Sequence, residues 1–204
     1  MTLVGVAKTV PVERIREAVD AGLADVGENR VQEAGRVIEA LDRTSIRWHL
    51  IGHLQRNKSA RALDLFDRIH TLDSLELAGQ LSRLAIERGR RVAALVQVNV
   101  SGEATKSGVE PGAVVALLER LLPLDGLAID GLMAIGAPVE RPDDARPGFA
   151  RLRELRDGAE RALGVALPQL SMGMSDDYET AVEEGSTLVR VGTALFGTRA
   201  LPGR

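Results

Sequence analysis

The stretch LVGVAKTVPVERIREAVDAGLADVGEN, residues 3–29, decides the fold. It opens on a short apolar run (3–8), continues as an amphipathic segment (12–21), stops at Gly22 and returns to a second short apolar run (25–29). Two strands separated by a helix read as a parallel pair with a crossover. The pattern repeats to the end of the chain. Further strands are expected at 47–52, 68–72, 93–100, 128–135, 169–173 and 188–192, and further helices at 30–41, 57–63, 74–88, 111–121, 144–163 and 176–184. Asp73 or Ser74 suits a helix cap, Pro111 suits a first helical position, and Gly22, Gly89, Gly164 and Gly185 fall where helices should stop. Strict alternation implies a parallel sheet, and eight units in 204 residues match the lower size limit of a (β/α)8 TIM barrel. An open doubly wound sheet is the competing architecture. Eight strands of similar short length, with no glycine-rich first turn, favour closure. Residues 136–147, with Pro138, Pro142 and Pro147, read as a mobile βα loop, and residues 1–204 as a single α/β barrel domain.

Composition excludes several classes. Hydrophobic content of 45% and charge of 27% are ordinary for a globular chain. A net charge of -3 without a basic block, and 2% aromatic residues, argue against nucleic acid as a partner. There is no cysteine, hence neither a disulfide nor a thiolate metal site. No apolar run approaches the ~20 residues of a membrane span, and no signal peptide is read at the start. The expectation is a soluble, cytoplasmic protein.

Lys8 carries the first chemical signal. Side chains alternate along a strand, so Val4, Val6 and Lys8 share one face and Gly5 and Ala7 the other. If the first face is the barrel interior, Lys8 emerges at the C-terminal rim, where barrels build their chemistry. A desolvated lysine there becomes a neutral amine able to attack an aldehyde. The alternative is a solvated lysine before a turn. The last two strands supply the second signal. Turns after strands seven and eight commonly hold phosphate, and here they are Ser171–Ser175 and Gly192–Thr193, with glycine amides and hydroxyls as donors. Ser175 or Asp176 also reads as a helix cap. An amine and a phosphate cradle together suit an aldehyde-and-phosphate cofactor such as pyridoxal 5'-phosphate.

Arg190 lies mid-strand, opposite in direction to Val189 and Val191. A guanidinium directed into a barrel needs a partner. Asp130 or Glu28 could form a structural bridge; the ring nitrogen of a bound pyridine is the preferred alternative. An always-protonated guanidinium there keeps that nitrogen unprotonated and weakens the cofactor as an electron sink. Asn29 and Glu28 close strand two, and Gln97 and Asn99 share a face of strand five. His49 reads as a hydrogen-bonded interior residue. Its spacing from His53 is not a metal site, because the context is strand and turn. Gln55–Lys58 reads as a solvated helix start, with an anion or partner surface as the lesser reading.

Lys8, Gly27-Glu28-Asn29, the run Trp48–Lys58, Gln97–Val100 with Lys106-Ser107-Gly108, Gly131-Leu132-Met133, Ser171–Asp177 and Val189–Thr193 occur in an order that resembles the YggS/PROSC family of pyridoxal phosphate homeostasis proteins. The resemblance covers nearly the whole chain. It implies a barrel like the N-terminal domain of alanine racemase, a fold-type III arrangement, with pyridoxal 5'-phosphate as an internal aldimine on Lys8. It further implies that Ser171, Gly192 and Thr193 hold the phosphate, that Arg190 faces the pyridine nitrogen, and that Asn29 lies beside the cofactor. The implied role is a non-catalytic carrier that buffers the cofactor and delivers it to apoenzymes, with indirect effects on amino-acid and keto-acid pools. No metal is implied; a monomer and a weak homodimer both remain open. Members usually carry a helical segment before the lysine strand, from which this sequence departs. The alternatives are a pyridoxal-dependent racemase and a sugar-phosphate barrel enzyme. The racemase needs a further base, and Tyr178 is the only tyrosine; the sugar-phosphate enzyme gives Arg190 no role.

Overall fold

The computed structural model describes residues 1–41, 45–103, 107–136 and 139–197; Lys106 and Pro138 lie outside them. Eight parallel strands close into a barrel: β1 (Thr2–Val6), β2 (Asp25–Glu28), β3 (Arg47–Leu50), β4 (Arg68–Leu72), β5 (Val92–Gln97), β6 (Leu127–Met133), β7 (Gln169–Ser171) and β8 (Leu188–Val191). β8 pairs with β1 through Thr2↔Leu188 to Gly5↔Val191, which completes the ring. The helices are α1 (Val12–Asp20), α2 (Val31–Ala40), α3 (Ser59–Leu65), α4 (Leu75–Glu87), α5 (Val114–Leu121), α6 (Arg146–Leu163), α7 (Tyr178–Glu183) and α8 (Thr193–Phe196). The closed barrel, not the open sheet, is the architecture.

Most strands stop one to three residues short of the sequence expectation, because the ladder ends before the residues that turn into the mouth. Gly22, Gly89, Gly164 and Gly185 each follow a helix with positive φ. At Gly164, the C-cap of α6, φ is 65°, a conformation that Cβ disfavours elsewhere. Ser74 occupies the N-cap of α4, without a side-chain hydrogen bond to the helix. Pro142 opens a 3-10 turn (Pro142–Ala145) and Pro147 sits in the first turn of α6, so the proline-rich loop is shorter than its sequence suggests.

Two apolar layers hold the ring. The outer one lies between strands and helices, where Trp48, Phe66, Leu81, Leu118 and Leu152 are fully buried. Each such side chain contributes on the order of 1.5–3 kcal/mol. The inner layer is small: Val4, Leu95, Met133 and Leu188. Alternation on β1 explains Gly5, since a Cβ there would lie 2.6 Å from Leu23 of the outer layer. The remainder of the lumen is polar. Asp25, His49, His70, Ser171 and Arg190 are all buried, where barrels ordinarily stack branched aliphatics. No helix among the described residues is long and apolar enough to cross a membrane.

Candidate functional site

The C-terminal mouth is assembled from the ends of β7, β8, β1 and β2. Ala7 N–H donates to Gly27 O (2.9 Å), so Lys8 and Asn29 leave adjacent strands at the same level. Gly192 follows β8 on the other side of β1, and a Cβ on it would lie 3.4 Å from Val6. Lys8 is half-buried and lines a cavity of about 550 Å³ with Asn29, Gly52, His53, Gln55 and Lys58. A neighbouring cavity of about 260 Å³ shares Asn29, Gly52 and His53 and adds Thr71, Gln97 and Asn99. Gly52 is fixed there by space, because a Cβ would fall 2.3 Å from Asn29 O. Gln55 and Lys58, read from sequence as a solvated helix start, thus join the cleft, while Arg56–Lys58 forms a 3-10 turn before α3.

Backbone strain is placed beside the lysine. Thr9 has φ 62°, the one positive φ of a non-glycine residue among those described. A β-branched residue in that region costs about 1–3 kcal/mol, and such outliers gather at functional sites. The Thr9 hydroxyl donates to Lys8 O (2.6 Å), which ties the turn to the lysine. Nothing in the sequence marked Thr9.

At the end of β7, Gly173 has φ 90° and its missing Cβ would sit 2.5 Å from Ala181. The turn then presents Ser175, whose Oγ accepts from the amides of Gly192 (3.1 Å) and Ala194 (3.2 Å). Two amides from the start of α8 therefore converge on one oxygen. The cap of α7 is neither Ser175 nor Asp176 but Asp177, whose carboxylate accepts from Met174 N–H (2.6 Å). Thr193 is exposed at the head of α8.

Ser171 is bonded on the lumen side of the mouth. It is fully buried, and its Oγ accepts from Arg190 Nη1 (2.6 Å) and bonds His70 Nδ1 (2.9 Å). Its hydroxyl faces the lumen, because Ser171 is the last residue of β7 and shares the inward face with Arg190; the amide cluster is gathered by Ser175 instead. Arg190 forms neither of the two structural bridges weighed as alternatives to the ring nitrogen. Asp130 pairs with Arg68 (2.9 Å), and Glu28 points to the opposite side of β2 from Asp25, toward Glu33 of α2. The guanidinium is held by Ser171 Oγ and Ala134 O (2.9 Å), with no carboxylate at ion-pair distance among the described residues. Burial draws its pKa down to about 10, partly offset by Asp177.

His49 is the interior residue its position implied: buried, with Nε2 on Asp25 Oδ1 (2.8 Å) and Nδ1 on His70 Nε2 (2.8 Å). His53 is exposed, 3.6 Å from Asp73. No group of three His, Cys, Asp or Glu among the described residues could hold a metal.

The donor set fits an aldehyde-and-phosphate group. An amine lines a cleft large enough for a heteroaromatic ring, paired amides converge at the next strand end, and a buried cation lies below. Gln97 Oε1, buried at the second cavity, has no hydrogen-bond partner of its own. A closed parallel barrel with a lysine after β1 and an amide cluster after β8 defines the class: barrels of the alanine racemase N-terminal-domain type. The sequence matches the profile of that domain, "Alanine racemase, N-terminal domain", over residues 3–200. It is 48% identical to the pyridoxal phosphate homeostasis protein of Aquifex aeolicus over 97% of this chain and 86% of that one. The protein of that name from Pseudomonas aeruginosa is 45% identical over 97% and 84%. Among solved structures, PipY of Synechococcus elongatus with pyridoxal phosphate bound superposes with a TM-score of 0.90 at 39% identity, covering 97% of this chain and 92% of that one. The chain belongs to the pyridoxal phosphate homeostasis protein family. Alanine racemase of Clostridium difficile shares the fold, with a TM-score of 0.84 at 16% identity; this chain covers 53% of its length.

Proposed function

We propose that this protein binds pyridoxal 5'-phosphate and acts as a non-catalytic carrier in its homeostasis. The observation that carries the reading is Lys8 on a strained turn, lining the cleft, between the Gly192–Ala194 amides on one side and Asn29 on the other. Lys8 would hold the cofactor by its aldehyde through the ε-amine. The amides of Gly192 and Ala194, with Ser175 and Thr193, hold the phosphate. Arg190 donates to the pyridine nitrogen, and Ser171 contributes by anchoring Arg190. When bound, the cofactor supplies an electron sink, and a donor-only cation at its ring nitrogen keeps that sink weak.

The carrier is favoured over a racemase by what surrounds the cleft. Tyr178 is in the first turn of α7, its hydroxyl donating to Glu179 Oε1 (3.3 Å) on the surface. It is not among the residues lining either mouth cavity. The barrel, read as one domain, would take up cofactor in the cytoplasm and release it to apoenzymes, and the pools of amino and keto acids would follow indirectly.

The test is an absorbance spectrum of the protein with pyridoxal phosphate, before and after borohydride, followed by peptide mapping. The chain has three lysines, Lys8, Lys58 and Lys106, so the map is unambiguous. Label on Lys8, and its loss in Lys8→Ala, is the expected result. A borohydride-stable adduct of equal yield in Lys8→Ala would refute the assignment, and racemisation of amino acids by the loaded protein would refute the carrier.

A further inference from the structure

Below the mouth, five buried side chains from five strands form one continuous hydrogen-bonded row. Arg190 (β8) donates to Ser171 Oγ (β7); Ser171 meets His70 Nδ1 (β4) across the lumen; His70 Nε2 meets His49 Nδ1 (β3); His49 Nε2 meets Asp25 Oδ1 (β2). All five are at most 6% exposed as side chains or residues. The row ends at the N-terminal face, where Arg47 clasps Asp25 with two hydrogen bonds of 2.8 and 2.7 Å. The fold and the cofactor reading leave this row unexplained.

The proton positions follow by elimination. A guanidinium only donates, so Ser171 Oγ accepts from Arg190 and its own O–H must point to His70 Nδ1. His70 Nδ1 is then the acceptor, and its proton resides on Nε2, pointing to His49 Nδ1. The proton of His49 is in turn on Nε2, pointing to the Asp25 carboxylate. The reverse order would leave the Ser171 proton without a partner and set a bare His49 nitrogen against a carboxylate. Ser171, His70 and His49 thus each turn a lone pair to the cation and a proton to the anion. Burial and the neighbouring His49, Arg190 and Arg68 hold His70 well below the ordinary histidine range, so it stays neutral. Burial would lift the Asp25 carboxyl, but bonds from His49 and Arg47 outweigh it and keep the group ionised. The other charges facing the row are Arg68, neutralised by Asp130, and Asp177 near Arg190.

This answers how a buried guanidinium persists with no carboxylate beside it. An unpaired buried charge is severely penalised, and dipoles aligned between a cation and an anion strengthen one another in a low-dielectric interior. We infer that Asp25, His49, His70 and Ser171 are positioning residues for Arg190: the row anchors its Nη1, supplies a remote counter-charge, and so sets how it donates to a ring nitrogen bound at the mouth. The inference rests on the cofactor reading above.

The test uses the loaded protein with pyridoxal phosphate labelled with 15N in the ring, followed by NMR between pH 5.5 and 8.5, and the release rate of cofactor to an excess apoenzyme. Wild type should show one unprotonated ring-nitrogen signal that does not move with pH. His70→Leu cuts the row. His70→Gln keeps its pattern, since the amide oxygen accepts from Ser171 and the amide N–H donates to His49. Asp25→Asn removes the charge while leaving an acceptor for His49, and it carries the test if His70→Leu fails to fold. The expected result is release faster by about tenfold in His70→Leu, roughly one charge-assisted hydrogen bond, a smaller increase in Asp25→Asn, and a ring nitrogen that titrates in both. His70→Gln should behave as wild type. Wild-type release and a pH-flat signal in His70→Leu or Asp25→Asn would overturn the row, as would a His70→Gln variant as defective as His70→Leu. A ring nitrogen that titrates in wild type itself, or no adduct on Lys8, would instead overturn the cofactor site, and the row's role with it.

Discussion

Glu28 offers a quantitative test of the packing outside the lumen. It ends β2, is 1% exposed, and one carboxyl oxygen has no hydrogen-bond partner. Burial, and next the nearby Glu33, lift its pKa from 4.5 to about 7, against a hydrogen bond from the Asn29 backbone that favours ionisation. Because the folded value lies above the unfolded one, the folded state binds the proton more tightly. The group is protonated in both states below pH 4.5 and imposes no penalty there. Between 4.5 and 7 the unfolded chain ionises first, so stability falls as pH rises; above 7 the loss is complete. Over pH 5 to 8 the swing is about 2.5 kcal/mol, from roughly 1.4 kcal/mol per unit of pKa difference. Glu28→Gln cannot ionise and removes this slope, whatever constant packing difference the amide introduces. Urea unfolding of both proteins at pH 5, 6.5 and 8 measures it, since all other titrations cancel in the difference. The variant should gain about 2.5 kcal/mol relative to wild type between pH 5 and 8, which is roughly 5–10 °C in Tm for a chain of this size. A gain below about 1 kcal/mol, or a loss, would refute a buried, protonated Glu28.

Three other perturbations probe the mouth. Gly173→Ala should destabilise by about 2–4 kcal/mol, combining a positive φ with a forced contact on Ala181, and thermal unfolding checks it; a shift of less than 2 °C would show that the turn relaxes. Ser175→Ala removes the oxygen that gathers the Gly192 and Ala194 amides, and should weaken retention of pyridoxal phosphate about tenfold, as one lost hydrogen bond to a charged group; equilibrium dialysis of variant and wild type decides it. Arg190→Gln should weaken retention without creating racemase activity. Unchanged release in that variant would assign Arg190 to the fold alone.

The barrel was legible because its signal is periodic. Each of the eight expected strands overlaps an observed one, and the alternation that put Val4, Lys8 and Arg190 on inward or mouth-facing positions is a local property of the backbone. What was not legible is what crosses the lumen. His70 sits in Arg68-Ile69-His70-Thr71-Leu72, where a histidine on a strand looks like any buried polar residue. Only closure of the ring brings it to Ser171, 101 residues away. The partners of Ser171 were hidden for the same reason: a serine before a glycine turn suggests a phosphate ligand, and only the closed ring shows its hydroxyl between His70 and Arg190, with Ser175 at the amides. Asp130 and Glu28 looked available to Arg190, but the first pairs with Arg68 and parity turns the second to the helical layer.

In the proposed function, the two halves of the lumen would let one barrel both hold and give up a reactive aldehyde. Retention asks for a covalent bond and a fixed anion site, supplied in the proposed arrangement by Lys8 and the Gly192 and Ala194 amides. Restraint asks that the bound ring not stabilise a carbanion, and that is a matter of the ring nitrogen, not of the lysine. A guanidinium answers the second need only if it stays charged where burial pulls its pKa down to about 10. A carboxylate against Arg190 would secure that charge but divert its donors from the ring. Moving the counter-charge to Asp25, behind two histidines and a serine, keeps the cation ionised without placing a carboxylate on its donors. The polar row displaces the aliphatic filling of an ordinary barrel, and the small inner layer of Val4, Leu95, Met133 and Leu188 is the consequence in packing. On this argument the lumen gives up hydrophobic burial to hold one charge in place, and the outer layer around Trp48, Phe66 and Leu118 must carry the stability of the fold.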